Sequence, residues 1–319
     1  MSTYAMYGEI VFPAAHGRQA LKIRRFSEAK IESSWQSLTD TAEVIIPRKV
    51  RDFDRDNVTT FFKEGDPIEI WLGYNGNIEL EFTGYISKVP VGIPLVMTCE
   101  DEMYKLKRTT VSISKQNCTL KELLQHIAPG YTIQCDETKL LGSIRYSKMP
   151  ASKILDELKN TGIHSWFEGK TLHAFSISKT DIAPVSILLE KTAGESLKQK
   201  AIEDTMVIIS LLRKIGKKIK VEFGDKGAGK HIKRELSGIT MSEAEILAEA
   251  KKIYANAKIP GLDGDVTLFG IPRVTHGMKM KLRSVLYPEK DGTYYIDTVT
   301  KTWNRQGFRQ VCKLGDKAA

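Results

Sequence analysis

Residues Gly65 to Arg108 read GDPIEIWLGYNGNIELEFTGYISKVPVGIPLVMTCEDEMYKLKR, and this stretch decides the fold. Ile68, Ile70 and Leu72 alternate with polar or amphipathic neighbours, then Asn75-Gly76 offers a tight turn. A second alternating run follows through Leu80, Phe82 and Tyr85-Ile86. Period-two apolar residues on both sides of the dipeptide that best tolerates positive φ predict a β-hairpin. Val89-Pro90-Val91-Gly92 breaks the pattern, Leu95 to Cys99 supplies a third strand, and Glu100-Asp101 ends it. Such a unit is one wall of an antiparallel barrel or sandwich.

The unit has an echo near the C-terminus. Gly277-Met278-Lys279-Met280-Lys281-Leu282 parallels Gly65-Asp66-Pro67-Ile68-Glu69-Ile70, and Tyr294 to Val299 parallels Phe82 to Ser87; both pairs of segments start 17 residues apart. Closing strands follow at Leu95 to Cys99 and at Gly307 to Leu314. The expectation is a duplicated β-domain. Upstream, Ala20 to Phe26, Ile31 to Trp35 and Ala42 to Ile46 also alternate, which brings the expected count to about six strands before residue 100, enough for a closed or nearly closed barrel. Lys49 to Asn57 reads as a charged loop.

From Asp101 the period changes. Thr119-Leu120-Lys121-Glu122 has capping-box spacing, and Leu120, Leu123, Leu124 and Ile127 line one helical face up to Pro129-Gly130. Strands are predicted over Tyr131 to Cys135 and Ser143 to Ser147, a second helix over Pro150 to Asn160, and a hairpin over Ile163 to Phe175 around Glu168-Gly169. Further on come strands at Val185 to Leu189, Thr205 to Leu212 and Ile219 to Phe223. The box Thr240-Met241-Ser242-Glu243 then opens an amphipathic helix. The expected architecture is α+β and mainly β: a first β-barrel over 1–100, a small two-helix α+β domain over 101–180, and a second, similar barrel over 181–319 with an inserted helix at 241–258.

Several classes of chemistry are missing. The 319 residues carry a net charge of +9, with 41% hydrophobic and 27% charged residues, the balance of a globular protein. No apolar run approaches membrane-spanning length, and MSTYAMYGEIVFP lacks the basic and apolar regions of a secretory signal. Cys99, Cys118, Cys135 and Cys312 show no CxxC spacing, so reduced, buried thiols are expected and no metal. Gly224-Asp225-Lys226-Gly227-Ala228-Gly229-Lys230-His231 nearly fits a phosphate loop, but His231 stands where a magnesium-binding hydroxyl belongs, and Ile232 to Gly238 has no helical face. A flexible hairpin loop is expected instead. His16, His126, His164, His173, His231 and His276 lack helical zinc spacing. His126 suits a helix C-terminus, and His164 with His173 suits a surface position or cross-strand packing. Glu100-Asp101-Glu102 reads as capping and solubility, and no GxSxG elbow occurs. No catalytic, cofactor-binding or metal-binding residue is expected.

The basic run Arg213, Lys214, Lys217, Lys218, Lys220, Lys226, Lys230, Lys233 and Arg234 holds much of the excess charge, with only Phe223 inside it to stack on a base. A solvated face is the expectation; a nucleic-acid-binding module is the first rival reading, and a cell-wall-degrading enzyme the second.

Phe82 to Ile86, Pro94 to Asp101 and Tyr104-Lys105-Leu106-Lys107-Arg108 together resemble the hub proteins of contractile phage tails, the late control protein D group with its VgrG-like and Mu-type relatives. Thr119 to Ile127, Ile154 to Gly162, the capped helix after Thr240, and the ending Tyr294-Tyr295-Ile296 through Gly307-Phe308 to Leu314-Gly315 agree in order along the whole chain. The resemblance implies a homotrimer whose two barrels per subunit form a pseudo-six-fold ring, adapting a six-fold tail tube to a three-fold central spike. It implies as partners the spike, the tube and tape-measure proteins and other baseplate proteins, with DNA only in transit. It places the protein in a virion tail baseplate assembled in the host cytoplasm. Compared with larger fused hubs, the ending at Lys313-Leu314-Gly315-Asp316 leaves out a spike β-helix or cell-wall lysozyme domain, so a separate spike is expected.

Overall fold

The computed structural model describes residues 4–47, 61–89, 92, 94–176, 182–212, 218–236 and 241–318. The charged loop expected at Lys49 to Asn57 lies outside them. The front of the chain gives β1 (Met6–Phe12), β2 (Leu21–Ile23), β3 (Glu28–Ser34), β4 (Thr41–Ile46), β5 (Pro67–Tyr74), β6 (Asn77–Lys88) and β7 (Leu95–Glu100). The β5–β6 hairpin turns at Asn75 and Gly76 with φ of 52° and 82°, as the dipeptide requires. Alternate residues of these strands, among them Ile68, Ile70, Leu72, Val44, Ile46 and Met97, form one core. β1 went unforeseen because Gly8 and Glu9 interrupt its alternation, although both are buried.

The middle of the chain folds as α1 (Met103–Arg108), β8 (Thr110–Thr119), α2 (Leu120–Ile127), β9 (Thr132–Cys135), β10 (Leu140–Pro150), α3 (Ala151–Lys159), β11 (His164–Glu168) and β12 (Thr171–Phe175). The box at Thr119 is complete: its hydroxyl accepts from the Glu122 N–H at 3.3 Å, and Glu122 accepts from the Thr119 N–H at 2.9 Å. This part has three helices rather than two, and two sheets, β8–β10 and β11–β12–β9, around a second core.

The rear comprises β13 (Val185–Leu188), β14 (Gly194–Glu195), β15 (Lys198–Gln199), β16 (Thr205–Leu212), β17 (Lys218–Gly224), β18 (Lys230–Leu236), α4 (Glu243–Ala257), β19 (Leu262–Asp263), β20 (Asp265–Phe269), β21 (Lys279–Arg283), β22 (Gly292–Asn304) and β23 (Gly307–Lys317). The insertion here is larger than one helix. β16, β17 and β18 stand apart from the main sheet, form their own sheet, and pack Val207, Ile209 and Leu211 on Ile246 and Ala250 of α4 as a separate core. The insertion starts and ends at the short β15–β19 ladder, next to which the Lys200 N–H meets the Gly261 carbonyl at 2.9 Å. Its helix is capped by Ser242 with Glu245, not by a box starting at Thr240.

The duplication is visible in the hydrogen bonds. In the front unit the Gly65 N–H donates to the Ile86 carbonyl at 2.8 Å, and the Ile86 N–H to the Asp66 carbonyl at 2.9 Å; in the rear, Gly277 donates to Ile296 and Ile296 to Met278 at the same two distances. Both glycines have left-handed φ, 88° and 80°. A register shift follows in each copy, between Ile86 and Lys88 and between Ile296 and Thr298. Tyr85-Ile86 therefore matches Tyr295-Ile296, two residues off the spacing that equated Phe82 with Tyr294. The cause is a shorter rear hairpin: Ile70 pairs with Phe82 across the front tip, Leu282 with Gly292 across the rear one.

The front order β4–β7–β6–β5–β1 thus recurs as β20–β23–β22–β21–β13. The last strands differ: β1 is antiparallel to β5, while β13 is parallel to β21. The two units are not separate barrels either. β22 pairs along β3, joining both into one 13-stranded sheet, and among the described residues no ladder closes β2 onto β3 or β13 onto β14.

Candidate docking interfaces

The seam between the two units is built by strands from opposite ends of the chain. Beyond the β3–β22 ladder, Phe308 of β23 lies in the front core, and Trp303 packs on Phe26 with ring centroids 4.3 Å apart. The Tyr74 hydroxyl donates to the Phe308 carbonyl and accepts from the Gly270 N–H, each at 3.3 Å. Lys301 forms an ion pair with Glu81, and both side chains are buried. Arg273 adds a bond to Glu81 at 3.2 Å and donates to the Leu80 carbonyl at 2.7 Å. Burial lowers the ammonium pKa of Lys301 despite the carboxylate beside it. At the other end of the seam Asp297 accepts from the Trp35 indole at 3.1 Å and from the Gln36 amide at 3.0 Å.

The middle unit is tied to both neighbours. Glu102 accepts from Tyr85 at 2.8 Å and from Tyr131 at 2.6 Å. The Asp101 carboxylate accepts the N–H of Met103 at 3.0 Å and of Asp40 at 3.2 Å. Asp101 and Glu102 are therefore buried bonding groups, which corrects their reading as solubilising charges. Burial lifts the Asp40 pKa to about 6, with the Glu168 charge adding to it, and lifts that of Asp101 well above the usual carboxylate range, with the Asp40 charge adding to it. Toward the rear unit, Trp166 stacks on His173 at 5.3 Å and meets His276 edge-on at 5.9 Å. Burial depresses the His276 pKa to about 4. His173 does the cross-strand packing expected of the hairpin, through Trp166, whereas His164 packs edge-on to Trp35 of the front unit at 4.8 Å, and His126 reaches the Ser112 carbonyl at 3.1 Å. Sequence reasoning missed Asp40 and the Trp166–His276 contact, whose partners lie far apart in the chain.

The glycine-rich segment is followed by strand β18, not by a helix, in keeping with rejection of a phosphate loop. It is no hairpin, since β17 and β18 flank β16 on opposite sides and β18 runs parallel to β16. Nor is it free: Asp225 accepts from Lys258 at 2.7 Å, Tyr254 at 2.8 Å and the Thr205 N–H at 3.0 Å, and these bonds hold its pKa near about 2. Much of the basic run is neutralised by carboxylates: Lys218 by Glu235, Lys220 by Glu222, Lys230 by Glu203, and Arg234 by Glu249. Arg213, Lys214 and Lys217 lie outside the described residues. All four cysteines are free thiols, with Cys99, Cys118 and Cys312 buried. Among the described residues no cluster of three or more His, Cys, Asp or Glu is placed to hold a metal ion, and no helix is long and apolar enough to cross a membrane.

No protein-family model and no curated protein matches the chain. Solved structures do. The tail protein from Neisseria meningitidis MC58 matches with a TM-score of 0.69 at 14% identity, over 99% of this chain and 97% of that one. The 43 kDa tail protein of prophage MuSo2 from Shewanella oneidensis matches with a TM-score of 0.67 at 17% identity, over 97% and 98%. The E. coli c3393 protein, a component of the type VI secretion system, matches with a TM-score of 0.57 at 9% identity, over 92% of this chain and 74% of that one. The chain shares the fold of the two tail proteins over nearly its whole length.

Proposed function

We propose that the protein is a structural component of a phage or prophage tail baseplate, a homotrimeric hub that adapts a six-fold tube to a three-fold spike. The observation that carries this is the repeated strand order with its matched glycine and bulge in front and rear units. Two like units in each of three subunits give six like positions around one axis. The shared fold with phage tail proteins supports the same reading. The division into 1–100, 101–180 and 181–319 belongs to it, with the insertion enlarged to about 200–261. The hub works mechanically: a continuous sheet, the Lys301–Glu81 pair and the two ties of the middle unit keep the units rigid against one another. Its partners are the spike, the tube and tape-measure proteins and neighbouring baseplate proteins, in a particle assembled in the host cytoplasm. It catalyses no reaction. DNA passes by, and the carboxylates paired along the β16–β18 sheet keep the basic run from becoming a clamp.

Sedimentation equilibrium of the full chain tests this directly. A mass three times 35.8 kDa is expected; a protein that remains monomeric or dimeric at every soluble concentration contradicts it.

A further inference from the structure

The middle unit meets its two neighbours through titratable groups of opposite kinds. On the front side the Asp40 and Asp101 carboxyls are buried together. The Asp101 N–H donates to the Asp40 carbonyl at 3.1 Å, and the Asp40 N–H donates to the Asp101 carboxylate at 3.2 Å. On the rear side Trp166 meets His276, and both side chains are buried. β11 and β12 link the two contacts. Glu168, at the end of β11, acts through its charge on Asp40 and lies 3.6 Å from His173, which stacks on Trp166. One row, Asp101, Asp40, Glu168, His173 and His276, thus crosses the middle unit from front to rear.

The rear contact is built for neutral imidazole. Nδ1 of His276, Nδ1 of His164 and the indole nitrogen of Trp166 are buried with no hydrogen-bond partner among the described residues. A protonated ring carries an N–H on both nitrogens. Charging either histidine therefore adds a buried donor with nothing to receive it, a cost that opening to water removes. The surroundings add no counter-charge. His276 has Trp166 and the His173 imidazole against it; His164 has Trp35, with Lys159 of α3 and Arg234 of β18 adding positive charge. Arg234 of the insertion itself leans on the middle unit, since a Cβ at Gly162 would come within 2.8 Å of its Nη1. Burial holds the pKa of both His276 and His164 down to about 4, and lowers that of His173 against the pull of Glu168.

The two contacts respond to acid with opposite signs. The depressed histidines leave the rear contact at full strength above pH 6.5, and it is lost as pH falls toward 4. The raised Asp40 contributes fully below pH 3.8, and its contribution is lost as pH rises through about 6. Acidification from neutrality weakens the rear contact while it strengthens the front one. We propose that the middle unit is a proton-operated arm: in mild acid it lets go of the rear unit at Trp166–His276 and swings on its front contact, which holds at Asp40–Asp101 and at the Tyr85–Glu102–Tyr131 tie. The ties that keep the units rigid at neutral pH then yield in a set order. The device is complete within one chain and stands whether or not the chain forms a trimer.

Hydroxyl-radical footprinting of the full chain at about pH 7 and about pH 5, read by mass spectrometry, tests this. Trp166 reports the rear contact, Met103 beside Asp101 the front contact, and Met97 and Met280 the front and rear cores; all four are buried. Linkage at His276 alone multiplies the open population about twentyfold over this interval. Oxidation of Trp166 should rise by that factor and return to its neutral level in samples brought back to pH 7 before exposure, while the three methionines stay protected. His276→Phe should suppress most of the rise. Trp166 protected at both pH values, or exposed no sooner than Met103, overturns the proposal. So does exposure of Met97 and Met280 along with Trp166, the mark of general unfolding, and so does an undiminished rise in a His276→Phe chain whose Met280 stays protected. If His276→Phe exposes Met280 at neutral pH, the wild-type titration decides by itself.

Discussion

The front and rear units keep the same hydrogen bonds where the hairpin is pinned and part company at their margins. Both have the left-handed glycine, the paired bonds to Ile86 or Ile296, and the bulge that follows. They differ in the direction of the last strand, in the insertion opening at β15, and in the tips. Backbone constraints therefore define the repeat, and side chains have diverged according to what each margin touches. Glu81, buried against Lys301, has Asp291 as its rear counterpart, where the residue caps a surface loop through Ser284. Exposed Glu64 before Gly65 corresponds to buried His276 before Gly277.

The largest expected break in this comparison is Glu81→Ala. It strands the Lys301 charge in the seam and should cost about 3–5 kcal/mol of unfolding free energy by urea titration, whereas Asp291→Ala, at the matching position, should cost far less.

His276 comes next. Its folded-state pKa near about 4 lies below the 6.5 of a free imidazole, so the unfolded chain takes up the proton first. Stability from this group is complete above pH 6.5 and is lost as pH falls toward 4, about 3 kcal/mol in all. Among the groups around it, His173 on β12 adds to the depression through its charge and itself faces Glu168 at 3.6 Å. Asp40 acts in the opposite sense: with its pKa raised to about 6, it adds stability on acidification through that region. Comparing unfolding of wild type and His276→Phe at neutral and acidic pH isolates the histidine, and the variant should show the smaller acid loss. An equal loss in both would remove His276 from the account.

A smaller effect is expected at Gly84, whose rear counterpart is Tyr294. A Cβ there would come within 2.2 Å of the Glu100 carbonyl oxygen, so Gly84→Ala should open the β6–β7 ladder at a cost of about 1–3 kcal/mol. The smallest is also the sharpest test of equivalence: Gly65→Ala and Gly277→Ala should each cost about 1 kcal/mol through left-handed φ. Widely different losses at the two sites would weaken the claim that they do the same job.

Much of this was legible in the sequence because it is local. Asn75-Gly76, the alternation of β5 to β7 and the Thr119 box each carry their own geometry. The sheet to which a strand belongs is not local. Thr205 to Leu212 looks like any strand of the main sheet, and only its packing on α4 shows that it belongs to another. The short α1 and the mostly exposed β8 lack a strong apolar period and were missed. Asp101 and Glu102 look like surface charges until Asp40, Tyr85 and Tyr131 arrive from elsewhere.

Electron microscopy of the assembled protein, viewed down its symmetry axis, most directly tests the central claim that one chain supplies two interchangeable units. The account predicts three-fold particles whose central ring shows six similar β-lobes, front and rear units alternating. A ring of three lobes, with the rear units displaced outside it, would contradict the account.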